Sequence, residues 1–278
     1  MSDDHVYLSL AEGHDDSDAR WAFGTGFEDP LHGVDQSVPE GTDTAQLAAF
    51  CLALGDDALV NAQRLAQWCT AAPELEEEVA LANIGLDLLG QTRLLYARAG
   101  QVDGTGRGED AYAYFRDTDA FRNVRLAELP NGDFAFSVTR LLVLSSWRLA
   151  LFERLAVTTP DPVLAAIAAK GVKELAYHRQ YAAEWVVRLG DGTEESQRRM
   201  RDALTAIAPY VDELFAGEGE LKVEVLAVLH QVTDAAGLDW PEVAPVPGHG
   251  RDGDHTEHLA PLLTELQSVA RAHPEATW

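Results

Sequence analysis

Residues 173–185 read KELAYHRQYAAEW. Apolar residues recur there at three- and four-residue spacing, which predicts a helix. The helix is longer than the stretch. Asp161-Pro162 supplies a cap and a first-turn proline, and Gly190 supplies the stop. Glu174 and His178 stand four apart and so share a face. Glu-x-x-His on the helices of a four-helix bundle is how di-iron carboxylate proteins hold their metal. Here the third residue after the glutamate is Tyr177, and the histidine arrives one place late.

Three more long helices can be read outward from this one. The first starts near Thr44 and runs through TAQLAAFCLALGDDALVNAQRLAQWC to about Cys69. A second, PELEEEVALANIGLDLLGQTRLLYARAG, has Pro73 in its first turn, acids at its positive end and Gly100 as its stop. Asp133 caps a third, DFAFSVTRLLVLSSWRLALFERLAV, which is apolar on nearly all sides and is therefore a buried helix. Short helical pieces are expected at 109–116 and 119–129, and longer ones at 194–216 and 218–236. A Pro/Gly-rich loop, DWPEVAPVPGHGRDGD, precedes a last helix, HTEHLAPLLTELQSVARA. No alternating strand pattern is present. The reading is all-α, four long core helices with accessory ones, over residues 44–278. Residues 1–43 carry eleven acids against the single Arg20 and read as an acidic arm, with Trp21, Phe23 and Phe27 able to dock on a surface.

Charge excludes some functions. With 46 acids, 21 Lys or Arg and a net charge of −25, the chain has no basic surface for nucleic acid or an anionic membrane. Cys51 and Cys69 fall on one expected helix about 27 Å apart at ~1.5 Å per residue, too far for a disulfide. The start, MSDDHVYLSL, is acidic and unlike a secretory leader. No stretch reaches the ~18 apolar residues of a membrane span. Together these predict a reduced, cytoplasmic protein.

Residues able to carry chemistry are few. Gly104, Gly106 and Gly108 form G-x-G-x-G without the strand or Lys-Ser/Thr of a phosphate loop, so they read as a connector. His249, His255 and His258 cluster near the C-terminus, where a structural role is the simpler reading. In the core, the first helix offers Asp56 and Asp57, the second offers Asp87, the third has no interior acid, and the fourth offers Glu174 with His178. Two irons need several anionic oxygen donors, and this inventory falls short. Glu174 is then expected to pair with a base, from among Arg93, Arg140 and Lys170.

Four blocks carry a resemblance: LGDDALVNAQRLAQWCTAAPELEEEVALANIGLDLLGQTR, LPNGDFAFSVTRLLVLSSWRLALFERL, KELAYHRQYAAEWVVRLGDGTEES and HTEHLAPLLTELQSVARAHPEATW. In that order, over roughly residues 45–278, they resemble the non-catalytic C subunits of bacterial phenylacetyl-CoA 1,2-epoxidase complexes. The resemblance implies a ferritin-like bundle with a degenerate di-iron site and no metal or cofactor of its own. It implies a sister subunit that carries the di-iron centre, a reductase subunit that acts indirectly, and a role in aerobic phenylacetate breakdown. An isolated chain would be expected as a homodimer. Under this register the second helix shows Leu88-Leu89-Gly90-Gln91 and the fourth Glu174-Leu175-Ala176-Tyr177, which turns His178 about 100° away at ~3.6 residues per turn. The third-helix acid position falls near Ser145. Asp56, Asp87, Gln91, Ser145, Glu174, Tyr177 and His178 are then vestigial core positions, several of them hydrogen-bonded to one another.

Two other classes stay open on the residues alone. One is a self-sufficient di-metal oxygenase using Asp56, Asp87, Glu174 and His178, against which the missing third-helix carboxylate speaks. The other is a ferritin-like binding protein without an oxygenase partner. Lys170 and Lys173 are two of only three lysines and could assist the phosphates of a CoA ester, although a salt bridge to Glu174 is the simpler role. Trp68, Trp147 and Trp185 belong either to a docking surface or to the core.

Overall fold

The computed structural model describes residues 31–216 and 218–276, so Trp21, Phe23 and Phe27 lie outside the described residues. The chain divides after Gly33. Leu31–Gly33 form a turn, and the larger unit begins at Val34, ahead of the first helix. Residues 34–43 are tied to that unit by Arg98, whose guanidinium donates to the main-chain carbonyls of Gln36 at 2.8 Å and Ser37 at 3.4 Å.

Among the described residues there are nine α-helices and no strand. The long ones are α1 (Thr44–Ala66), α2 (Leu75–Val102), α5 (Phe134–Thr158) and α6 (Pro162–Gly190). Short links make hairpins of α1 with α2 and of α5 with α6. The crossover between the hairpins holds α3 (Glu109–Tyr114) and α4 (Arg125–Glu128). Helices α7 (Glu194–Ile207) and α8 (Gly219–Ala235) cover the α5/α6 side, and α9 (Leu259–Ala272) packs on α3 and α1. The architecture is an all-α, ferritin-like bundle.

Caps set the starts. The side chains of Asp43, Asp133 and Asp161 accept from the amides of Gln46, Phe136 and Leu164 at 3.0, 3.0 and 2.8 Å, each satisfying an otherwise orphan donor. Asp161 also pairs with buried Arg98, so the cap of α6 is anchored to α2. Two glycines expected as stops lie inside their helices instead. A Cβ at Gly100 would strike the Arg107 carbonyl, and one at Gly190 would lie 2.6 Å from that of Ala236. Close approach explains both residues. Pro73 likewise precedes Glu74, the residue at the cap of α2.

Helix α5 is long and apolar enough to cross a membrane, contrary to the sequence reading, but 83% of its apolar window is buried inside the fold. It is a core helix. Trp147 and Trp68 are buried with it, and the Trp68 indole donates to Ser137 Oγ at 2.9 Å.

The crossover is held by buried acids. Glu128 accepts from Asn123 Nδ2 at 2.9 Å and from the Thr256 amide and hydroxyl, each at 2.6 Å. His255 Nδ1 sits 2.6 Å from the same carboxylate, with its Nε2 2.9 Å from the Phe121 carbonyl. Burial pulls the His255 imidazole down, but Glu128 and that carbonyl outweigh it and raise its pKa. Glu213 accepts from Arg125 Nε and the Gly250 amide, both at 2.8 Å. The C-terminal loop is thereby stapled over the crossover, which gives His255 the structural role read for it.

Candidate functional site: the centre of the bundle

Helix α5 offers no polar face, so Arg140 and Arg148 have to find partners inside the protein. Arg148 is 4% exposed. Its Nε donates to Gln91 Oε1 on α2 at 2.9 Å, and Nη1 donates to the Leu54 carbonyl on α1 at 3.0 Å. Nη1 also lies 4.0 Å from Asp57 Oδ2 on α1. The guanidinium rests 4.5 Å over the ring of Phe152, one turn along its own helix. Gln91 passes the link to α6, because its amide donates to Glu174 Oε2 at 2.9 Å. Lys170 pairs with the other oxygen of Glu174. Burial lowers the Arg148 pKa to about 10, against the pull of Asp57, and the group stays cationic at neutral pH.

Beside Arg148 lies a cavity of about 10 Å³ lined by Asp57, Asn61, Leu88, Ser145, Leu175 and His178, among others. That is room for roughly one water, whereas sites for drug-sized ligands run to about 300–1,000 Å³. Asp57 is held on its far side. Its carboxylate accepts from the Val124 amide at 2.8 Å and from Arg251 at 3.0 and 2.6 Å. Burial pushes this carboxyl up, with Arg251 and Arg148 opposing. His178 is fully buried, and its Nε2 lies 3.0 Å from Asp87 Oδ2 at the rim.

Residues 33–278 match the family model described as phenylacetic acid catabolic protein. The chain belongs to that family. One relative is the C subunit of the 1,2-phenylacetyl-CoA epoxidase of Escherichia coli (strain K12), 40% identical over 252 residues that cover 84% of this chain and 99% of the relative.

In this chain the register expected from the sequence needs correction on α6. Its buried face runs Gly171, Leu175, His178, Ala182 and Val186, the three- and four-residue stride of an inward stripe. His178 therefore points inward, and Tyr177 is 50% exposed rather than in the core. The inward pair on α6 is Leu175 with His178, matching Leu88 with Gln91 on α2. Asp87 is at the rim, its side chain 39% exposed. Asp56 faces away from the centre and is held by Tyr96, Arg116 and the Arg122 amide, so it does not join the other expected residues. Gln91 and Glu174 do meet. Ser145 lines the cavity but donates to the Leu141 carbonyl of its own helix at 2.6 Å. Lys170 takes the salt bridge to Glu174, and Lys173 is exposed.

Asn61 and Arg148 were missed as members of the centre, and of the two acids read on the first helix it is Asp57, not Asp56, that lines the cavity. The signal for Arg148 was present, because an arginine in the middle of an all-round apolar helix has nowhere to go but inward. The donor set does not fit a di-iron centre. Asp57 is already paired with Arg251, three of the four Glu-x-x-His positions hold Leu88, Gln91 and Leu175 with only His178 able to ligate a metal, and the Arg148 cation stands beside them. Among the described residues, the acids that do lie close enough to share an ion, Glu74, Glu76 and Glu77, are at the start of α2, where they favour the helix dipole.

Proposed function

We propose that this chain is a non-catalytic structural subunit of a cytoplasmic phenylacetyl-CoA epoxidase complex acting in phenylacetate breakdown. The observation that carries the reading is its likeness to the E. coli C subunit along 99% of that relative. The bundle centre supports it, since a cavity of about 10 Å³ beside a buried arginine suits neither two metal ions nor an aryl-CoA ester. In this reading the iron belongs to a sister subunit, and electrons reach it from a reductase. The present chain supplies a rigid bundle against which the sister's ligand-bearing helices are held, since ligand geometry depends on such backing.

The test is reconstitution with the di-iron subunit and reductase encoded in the same genome. The chain is expected to co-purify with the di-iron subunit, to raise phenylacetyl-CoA epoxidation, and to contain almost no iron when reconstituted alone. About two irons per isolated chain, with epoxidation in its own right, would overturn the proposal.

A further inference from the structure

Ferritin-like di-iron bundles are tied at their centre by metal ions that take ligands from all four helices. The corresponding tie here is a side chain. We infer that the Arg148 guanidinium is the resident cation of this bundle, joining α1, α2 and α5 directly and α6 through Gln91 and Glu174. Three hydrogen bonds make the links: Arg148 to the Leu54 carbonyl at 3.0 Å and to Gln91 Oε1 at 2.9 Å, then Gln91 Nε2 to Glu174 Oε2 at 2.9 Å. Two acids stand near the same cation, Asp57 on α1 with its Oδ2 4.0 Å from Nη1 and Glu174 on α6 reached through Gln91. Supporting pieces are shaped for it. Phe152 lies under the guanidinium at 4.5 Å, and Gly171 leaves room for that ring, since a Cβ there would come within 2.7 Å of it.

The chemistry explains why an arginine can stand there. A metal pair needs carboxylates aimed at a common point. A guanidinium carries its charge on a plane with five donors, so it can use a carbonyl, an amide oxygen and a carboxylate in different directions. Uncharged acceptors such as Gln91 and Leu54 O would be poor iron ligands but are good partners for it. The side chain thus replaces both the charge and the cross-linking of the metals, and leaves the site closed to them.

The inference concerns the chain by itself, so it stands or falls independently of the proposed complex. Its test uses the full-length chain, with thermal unfolding followed for wild type, Arg148→Ala, Arg148→Lys and Arg148→Met. Removing one partner of a buried charged network leaves the others unpaired, and Arg148→Ala and Arg148→Met are each expected to lower Tm by roughly 10 °C. Arg148→Lys, which keeps the charge but not the fork, should fold and fall between them and wild type. Millimolar methylguanidinium should then restore several degrees to Arg148→Ala and none to wild type or to a cavity control, Leu144→Ala. If Arg148→Met matches or exceeds the wild-type Tm, or if methylguanidinium restores Arg148→Ala no more than Leu144→Ala, the resident-cation assignment is wrong. If Arg148→Ala does not fold, the Lys and Met variants decide the matter.

Discussion

Two buried polar regions of this protein are built to different standards. In the crossover clasp, both oxygens of Glu128 are bonded, to Asn123 and His255 on one side and to the amide and hydroxyl of Thr256 on the other. At the bundle centre several polar atoms have no protein partner, among them Arg148 Nη2, His178 Nδ1 and Asn61 Oδ1. The clasp leaves Asn123 Oδ1 without a protein partner, but its carboxylate is fully bonded, whereas at the centre the charged group itself is left partly unpaired. A partly satisfied buried charge is costly to keep. The clasp is a joint made for its place. The centre holds an arginine among groups that satisfy it only in part.

That contrast can be broken by mutation. The largest effect is expected from Glu128→Ala, which strips a carboxylate from four donors and should cost about 3–5 kcal/mol in urea unfolding. A loss smaller than that of Arg148→Met would reverse the ranking of the two regions. Gly171→Ala comes next. Its Cβ would push on Phe152, the ring under Arg148, and overpacking of this kind costs about 1–3 kcal/mol. A neutral result would mean that the ring is free to shift and the centre is looser than described.

A smaller effect, but one with a sign, comes from His255. Its folded-state pKa is raised above an unfolded value of ~6.5. Its contribution is therefore complete below that value and is lost as pH rises through the folded one. The Tm difference between wild type and His255→Gln should be greater at pH 6 than at pH 9. Equal differences would show that the imidazole holds the loop only as a neutral hydrogen-bonding group. The smallest effect is expected from Arg198→Ala on α7, where the guanidinium pairs with Glu195 and Asp202 in full solvent. Exposed pairs of this kind contribute little, and Tm should not move measurably.

The sequence made the helices legible because their caps and periodicity are local. Asp133, Asp161 and Pro162 mark real starts. The ends at Gly100 and Gly190 were misplaced because glycine serves two needs, a left-handed turn or a close approach, and only the fold reveals which. The centre was harder. Gln91, Glu174 and His178 could be picked from an apolar background, but adjacent Asp56 and Asp57 could not be told apart. They lie about 100° apart around α1, and that helix is buried on both sides, by the crossover and by the bundle. One residue of register on α6 decided whether Tyr177 or His178 faced inward. Its apolar stripe fixes that register only when Gly171 is counted as part of the buried face.

The burial of α5 also bears on how the protein is made. Helices α6, α7 and α8, which cover it, all follow it in the chain. During synthesis at ~5–20 residues per second, α5 waits on the order of several seconds for its cover. Through that interval a 25-residue helix with a mean hydropathy of 1.3 in its apolar window is presented to the cell bare. Nascent chains arrested when α5 has just cleared the ribosomal exit tunnel are therefore expected to crosslink strongly to ribosome-associated chaperones or to the membrane-targeting machinery, and chains arrested once α8 has also cleared it much less. Equal crosslinking at both lengths would mean that α1 and α2 shield α5 as soon as it emerges.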